Sequence, residues 1–64
     1  MTRLRELRKE QRLSAKELAE KVGTCPMTIY RYEKGERLPD IDVAMRLASA
    51  LNVSIDELFK SEVN

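Results

Sequence analysis

The side chains in this sequence that could do chemistry concentrate in one stretch, GTCPMTIYRYEKG, at residues 23–35. Arg31 carries a guanidinium that can donate two parallel hydrogen bonds to a planar pair of acceptors. Pro26 and Met27 offer only apolar contact, and Cys25 has no histidine anywhere in the chain to act as its base. This combination indicates recognition of a partner rather than catalysis.

Composition excludes several classes of function. The chain has 64 residues, no histidine and one cysteine, so we expect no metal site, no cofactor and no nucleophile paired with a base. It is too short for a sizeable pocket, and we predict that it is not an enzyme. No apolar run is long enough for a signal peptide or a membrane span. Because a lone thiol suits a reducing compartment, we expect a cytoplasmic protein without membrane attachment.

Charge is distributed unevenly along the chain although the formal net charge is only +1. Residues 1–12 hold five basic side chains against two acidic ones, whereas residues 39–64 hold two basic side chains against five acidic ones. Taken by itself, this asymmetry is explained by solvated helix faces, which commonly carry charge.

Capping signals and apolar spacing predict five helices and no strand. In chain order the boundary signals are Thr2 to about Gln11, Ser14 with Glu17 to Gly23, Pro26 to Lys34 before Gly35, Asp40 onward, and Ser54 with Glu57 onward. The apolar residues at core spacing in the last two helices are Ile41, Ala44, Leu47, Ala48, Leu51, Ile55, Leu58 and Phe59. Since no linker or repeat interrupts this pattern, we expect a single all-α domain over residues 1–64.

The spacing around the second and third helices is typical of a helix-turn-helix. Ala19 is a small residue that allows close helix crossing, Gly23 tolerates a positive φ in the turn, and Ile29 is a branched apolar plug. An ordinary helical hairpin would also use glycine and leucine, but it would not need this whole set. The remaining buried contacts are expected from Leu18, Val22 and Tyr32.

Three segments, LRELRKEQRLSAKELAEKVG, TIYRYEKGERLP and RLASALNVSIDELF, together resemble the phage repressor and Cro type of helix-turn-helix regulators, also called XRE-type. The resemblance covers nearly the whole chain. It implies a five-helix lambda-repressor-like domain whose third helix enters the major groove of double-stranded DNA while the second lies across the backbone. It also implies a homodimer on a two-fold symmetric operator.

On a helix from Pro26 to Lys34, the side chains of Ile29, Tyr32 and Glu33 should face the core. The resemblance assigns base reading to the outward residues Pro26, Met27, Tyr30 and Arg31. Arg31 suits the O6 and N7 acceptors of guanine, while Pro26 and Met27 suit a thymine methyl group. The simpler alternatives are a surface methionine at Met27 and a packing aromatic at Tyr30. Contacts with the DNA backbone are expected from Ser14, Lys16, Thr28, Lys34 and Arg37.

Three positions depart from the pattern of the family that the chain resembles. Ala15 replaces a common glutamine, so one side-chain phosphate anchor is missing. Glu36 replaces a common basic residue, which leaves backbone contact there to Arg37 and Lys34. Arg12 replaces the usual glycine after the first helix, and it must adopt a backbone conformation that bulky residues disfavour.

Two further residues of the resemblance have a structural role. In relatives resembling this chain, an arginine of the first helix pairs with the glutamate that ends the third, and Arg8 and Glu33 occupy those positions. We therefore expect a partly buried ion pair that fixes the third helix to the first. Cys25 is expected to be a small buried filler near the helix cap, and the alternative is a redox-sensitive thiolate favoured by the helix dipole.

The sequence thus predicts a sequence-specific DNA-binding transcriptional regulator, most simply a repressor, without a small-molecule effector domain. The alternative is a protein-interaction module on the same fold, such as a partner-binding antitoxin or an antirepressor target. A dimer contact is expected around residues 52–59, although the apolar residues there could equally belong to the core.

Overall fold

The computed structural model describes residues 2–59 of the chain and contains five α-helices in that range. They are α1 (Thr2–Glu10), α2 (Ala15–Val22), α3 (Pro26–Lys34), α4 (Ile41–Ala50) and α5 (Ile55–Leu58). The prediction of an all-α fold with five helices is confirmed, while the last five residues of the expected domain, 60–64, lie outside the described range. Within the described residues, none of the helices has the length and apolar character of a membrane span.

Three helices begin at the polar caps that the sequence predicts. The Ser14 hydroxyl accepts a hydrogen bond from the Glu17 N–H at 3.0 Å, and Glu17 Oε1 accepts one from the Ser14 N–H at 2.9 Å, which completes a capping box. Asp40 and Ser54 cap α4 and α5 in the same way. Thr2 is the first residue of α1 rather than its cap. These caps satisfy N–H groups that a helix leaves without intrahelical partners.

The first four helices share one type of ending. In each, an N–H bonds the carbonyl oxygen five residues earlier, as in the bond from Leu13 to Arg8 at 3.1 Å. The residue that turns the chain has a left-handed backbone, and these residues are Arg12 (φ 58°), Gly23 (φ 81°), Gly35 (φ 80°) and Asn52 (φ 59°). Asparagine tolerates this region better than other non-glycine residues, so strain from a Cβ atom falls mainly on Arg12.

The core consists of one apolar face from each helix. Its fully buried side chains are Leu4, Leu18, Ile29, Leu47, Leu51 and Leu58. Two predicted core residues are wrong: Ile41 is 67% exposed and Phe59 is 44% exposed. Ile41 is the first residue of α4, one turn before the buried face begins at Ala44, and Phe59 follows the last turn of α5.

A buried ion pair fixes α3 against α1. Arg8 Nε lies 2.6 Å from Glu33 Oε2, Arg8 Nη2 lies 3.3 Å from Glu33 Oε1, and Arg8 Nη1 donates to the Leu13 carbonyl oxygen at 3.0 Å. Both charged residues are buried. The guanidinium therefore joins the end of α3, the last turn of α1 and the turn that leads to α2.

We predict that Arg8→Met and Glu33→Met each lower the free energy of unfolding by about 3–5 kcal/mol, because each leaves an uncompensated buried charge. The double variant should lose much less than the sum of the two single losses. Chemical denaturation of the four proteins measures these changes, with the exposed Lys9→Met as a control expected within about 0.5 kcal/mol of wild type. Small and additive losses would contradict a buried pair that acts as a unit.

We predict that Arg12→Gly raises the free energy of unfolding by about 0.5–1 kcal/mol, because relief of the left-handed strain exceeds the added chain entropy of glycine. Arg12→Ala is the matched control, since it removes the same charge but keeps the Cβ atom. Thermal unfolding should therefore rank the glycine variant above both wild type and the alanine variant. Equal melting temperatures for the two variants would show that backbone strain at residue 12 is negligible.

Candidate nucleic-acid interface

Helix α3 separates into a buried face and an exposed face. Ile29, Tyr32 and Glu33 are buried, as the sequence predicts. The opposite side, called here the outward face, is exposed and consists of Pro26, Met27, Tyr30, Arg31 and Lys34. Met27 is 59% exposed and Tyr30 is 47% exposed, so neither side chain is absorbed by the core. The outward face combines a guanidinium, an ammonium, a phenol and two apolar groups.

The turn between α2 and α3 sets the angle at which the outward face is presented. Ala19 and Ile29 are buried where the two helices pack together. Gly23 ends α2 with a positive φ, and a Cβ atom built there would lie 3.7 Å from Arg46 Nη1, which is an ordinary contact. The glycine is therefore required by its backbone conformation rather than by lack of space.

The residues expected to contact a DNA backbone lie around the start of α2 and along α3. Ser14, Lys16, Lys34 and Arg37 are exposed, and Thr28 is half-buried. Because the Ser14 oxygen accepts the bond that caps α2, its hydroxyl proton stays available for a partner. Hydrogen bonds from the Ser14 N–H and hydroxyl lower the pKa of the Glu17 carboxyl, which keeps the capping box ionised.

Ala15 belongs to the core, where it is buried beside α2 residues such as Leu18. The sequence analysis noted that alanine cannot supply a phosphate anchor at this position. The structure adds the reason why nothing is lost from the fold, since the methyl group fills core volume. Contact with an anion near the start of α2 therefore depends on Ser14 and Lys16.

The expectation of a buried Cys25 is wrong, because the thiol is exposed. Cys25 is the cap residue of α3 and lies in the surface turn before Pro26. Its Sγ lies 3.3 Å from the Thr28 hydroxyl, and this hydrogen bond together with backbone N–H groups lowers the pKa of the thiol. The redox hypothesis for Cys25 stays a hypothesis.

A cleft of about 1020 Å³ lies between α1 and α3. It is open to solvent and carries four basic and two acidic side chains around one tyrosine; the lining residues are Arg5, Glu6, Arg8, Lys9, Tyr30, Glu33 and Lys34. The sequence analysis did not assign Arg5 and Lys9 to a site. The signal that could have found them is their spacing of four residues, which puts them on the same side of α1.

Comparison with known proteins agrees with this geometry. A helix-turn-helix family model matches residues 4–58. The crystal structure of the P22 c2 repressor in complex with a synthetic operator superimposes with a TM-score of 0.89 at 30% sequence identity, covering 92% of this chain and 89% of that chain.

Two curated relatives are similar over most of this chain. A protein of Archaeoglobus fulgidus named as an HTH-type transcriptional regulator is 40% identical over 58 residues, which are 91% of this chain and 83% of the relative. A Pyrococcus furiosus protein named as an HTH-type transcriptional regulatory protein is 42% identical over 64 residues. That match covers 95% of this chain but only 20% of the longer relative. From the family match over most of its length, the chain belongs to the helix-turn-helix family of the phage repressor and Cro type.

Proposed function

We propose that this protein binds double-stranded DNA in a sequence-specific manner and regulates transcription, acting as a repressor. The observation that carries the proposal is the outward face of α3, which presents Arg31 beside Met27 on a helix that a buried ion pair holds in place. Similarity to the operator-bound P22 c2 repressor and to regulators of transcription supports it. This role requires no enzymatic activity and places the protein in the cytoplasm with the DNA.

The division of labour along α3 follows from side-chain chemistry. A helix fits the major groove of B-DNA, where each base pair presents a distinct pattern of donors, acceptors and methyl groups. Arg31 donates two hydrogen bonds to a guanine, Pro26 and Met27 contact thymine methyl groups, and Tyr30 lies at the edge of the same surface. Backbone phosphates are bound by Ser14, Lys16, Thr28, Lys34 and Arg37, which fix the register of the helix but read no sequence.

Selection from a library of randomised DNA duplexes tests the proposal directly. The full chain should enrich one sequence, and a mobility-shift assay should then show preference for that duplex and for the DNA upstream of the protein's own gene over random DNA. If no sequence is enriched and the chain instead captures a protein partner, the alternative of a protein-interaction module on this fold gains support.

The protein is further proposed to bind as a homodimer, because two copies double the base contacts available to one small domain. Apolar surface remains in the expected contact segment, residues 52–59. There, Leu58 is buried, Val53 and Ile55 are half-buried, and Phe59 is 44% exposed. Phe59 is therefore the side chain in this segment with the most to gain from a partner.

We predict that Arg31→Ala weakens binding to the selected duplex by about 1–3 kcal/mol and binding to random DNA much less, because a base contact is lost. Arg37→Ala, the matched loss of one exposed arginine, should weaken both DNAs alike and lower the salt dependence by about one unit of slope. Titrations of both variants on both duplexes at several salt concentrations measure this. An equal loss for Arg31→Ala on both duplexes would make Arg31 a backbone contact.

We predict that Phe59→Glu shifts the protein from dimer to monomer, because it places a charge in the proposed apolar contact. Met45→Glu is the control, since Met45 is an exposed apolar residue of α4 outside that segment. Sedimentation velocity, free and on the selected duplex, measures the state of each variant. A wild-type monomer under both conditions would rule out the dimer, and dissociation by Met45→Glu alone would move the contact to α4.

A further inference from the structure

We propose that the cleft between α1 and α3 binds the phosphate backbone of a DNA strand, with Arg5 and Lys9 of α1 and Lys34 of α3 as its ligands. The inference rests on the proposed DNA binding and deepens it. It adds two α1 residues to the contacts expected from the helix-turn-helix, and it assigns them to a particular strand.

The charges in the cleft favour an anion. Arg8 and Glu33 neutralise each other, and Glu6 binds Arg3 through a contact of 2.8 Å. Arg5, Lys9 and Lys34 are exposed, and within residues 2–59 the ion pairs of the protein involve none of them. Three cations that line one cleft repel one another, so binding of a polyanion there relieves repulsion and adds attraction.

The position of the cleft favours the DNA backbone over other anions. Tyr30 and Lys34 belong both to the outward face of α3 and to the wall of the cleft, so the two surfaces are continuous. An α-helix with its side chains is roughly 10–12 Å across and fills the major groove, which places a phosphate strand on each side of it. Each side of α3 therefore needs its own phosphate ligands.

One side of α3 already has such ligands and the other side has the cleft. Thr28 and Tyr30 are two residues apart, which corresponds to about 200° around the helix, so they lie on opposite edges of the outward face. The Thr28 edge is the one associated with Ser14 and Lys16 at the start of α2. The Tyr30 edge faces α1, and there the side chains that can bind the second strand are Arg5, Lys9 and Lys34.

Arg5 and Lys9 are suited to a linear anion because they are separated by four residues. Side chains at this spacing lie one above the other on a helix, about one turn apart. A strand that runs along α1 can thus place one phosphate at each cation, while Lys34 holds it from the opposite wall. An acidic protein segment offers similar charges, and its binding is the competing outcome of the test.

The experiment compares two double variants of the full chain that lose the same charge. Arg5→Gln with Lys9→Gln removes the proposed ligands, while Lys21→Gln with Arg46→Gln removes two exposed cations from the surface between α2 and α4. Thermal unfolding establishes that both variants fold. Binding is measured on the selected duplex and on random duplex DNA at several salt concentrations, and phosphate ethylation interference maps the contacted phosphates.

We expect the Arg5 and Lys9 variant to lower the slope of log affinity against log salt by about 1.8 units on both DNAs, since each phosphate contact contributes about 0.9 units. Ethylation interference should disappear at neighbouring phosphates of one strand, and preference for the selected sequence should persist. The Lys21 and Arg46 variant should keep the wild-type slope and the wild-type interference pattern.

Two results overturn the proposal in different ways. If the wild type binds the selected duplex and both double variants share its slope and interference pattern, the cleft does not bind DNA, and an acidic protein segment becomes its better ligand. If the wild type binds neither the selected nor the random duplex, the proposed DNA binding itself fails and this inference fails with it.

Discussion

The buried ion pair between Arg8 and Glu33 is the interaction on which the rest of the site depends. Burial of a single charge in a small domain costs several kcal/mol, so each partner is tolerated only while the other is in place. The pair is directional as well as strong, because the guanidinium contacts both carboxylate oxygens and a carbonyl oxygen of the next turn. It therefore fixes how far α3 is rotated and shifted relative to α1, and hence where the outward face points.

This constraint explains how nine residues of α3 can serve two purposes. Ile29 and Tyr32 fill the core and Glu33 completes the ion pair, which leaves the opposite side without a structural duty. Met27 can then stay exposed although burial of its side chain would be favourable. An exposed methionine and an exposed arginine on a rigid helix are an arrangement that the proposed recognition of base edges can use.

The near-neutral net charge conceals a polar distribution that the fold makes spatial. Helix α1 contributes Arg5 and Lys9 to the cleft beside α3, while Arg3 of the same helix binds Glu57 of α5. One side of α1 thus closes the fold and another adds cations beside the outward face. The uneven charge that solvated helix faces explain in the sequence acquires a second explanation once the helices are packed together.

Local signals in the sequence determined the helices and the two faces of α3. Ser14, Asp40 and Ser54 cap their helices, Gly23 and Gly35 end theirs, and Pro26 opens α3, because each acts on backbone groups within a few residues. The period of the helix then separates outward from buried positions. The resemblance of the sequence to a known family supplied the partners Arg8 and Glu33, which lie 25 residues apart and have no local signal linking them.

The tertiary structure decided what lies beyond the reach of helical periodicity. Apolar spacing placed Ile41 and Phe59 on core faces, but it could not reveal that α4 begins before its packed face and that Phe59 lies past the last turn of α5. It likewise could not show that Cys25 is exposed in the turn. The cleft that joins Arg5 and Lys9 to Lys34 exists only because α1 packs beside α3, since a periodic pattern defines the faces of one helix and not which helices meet.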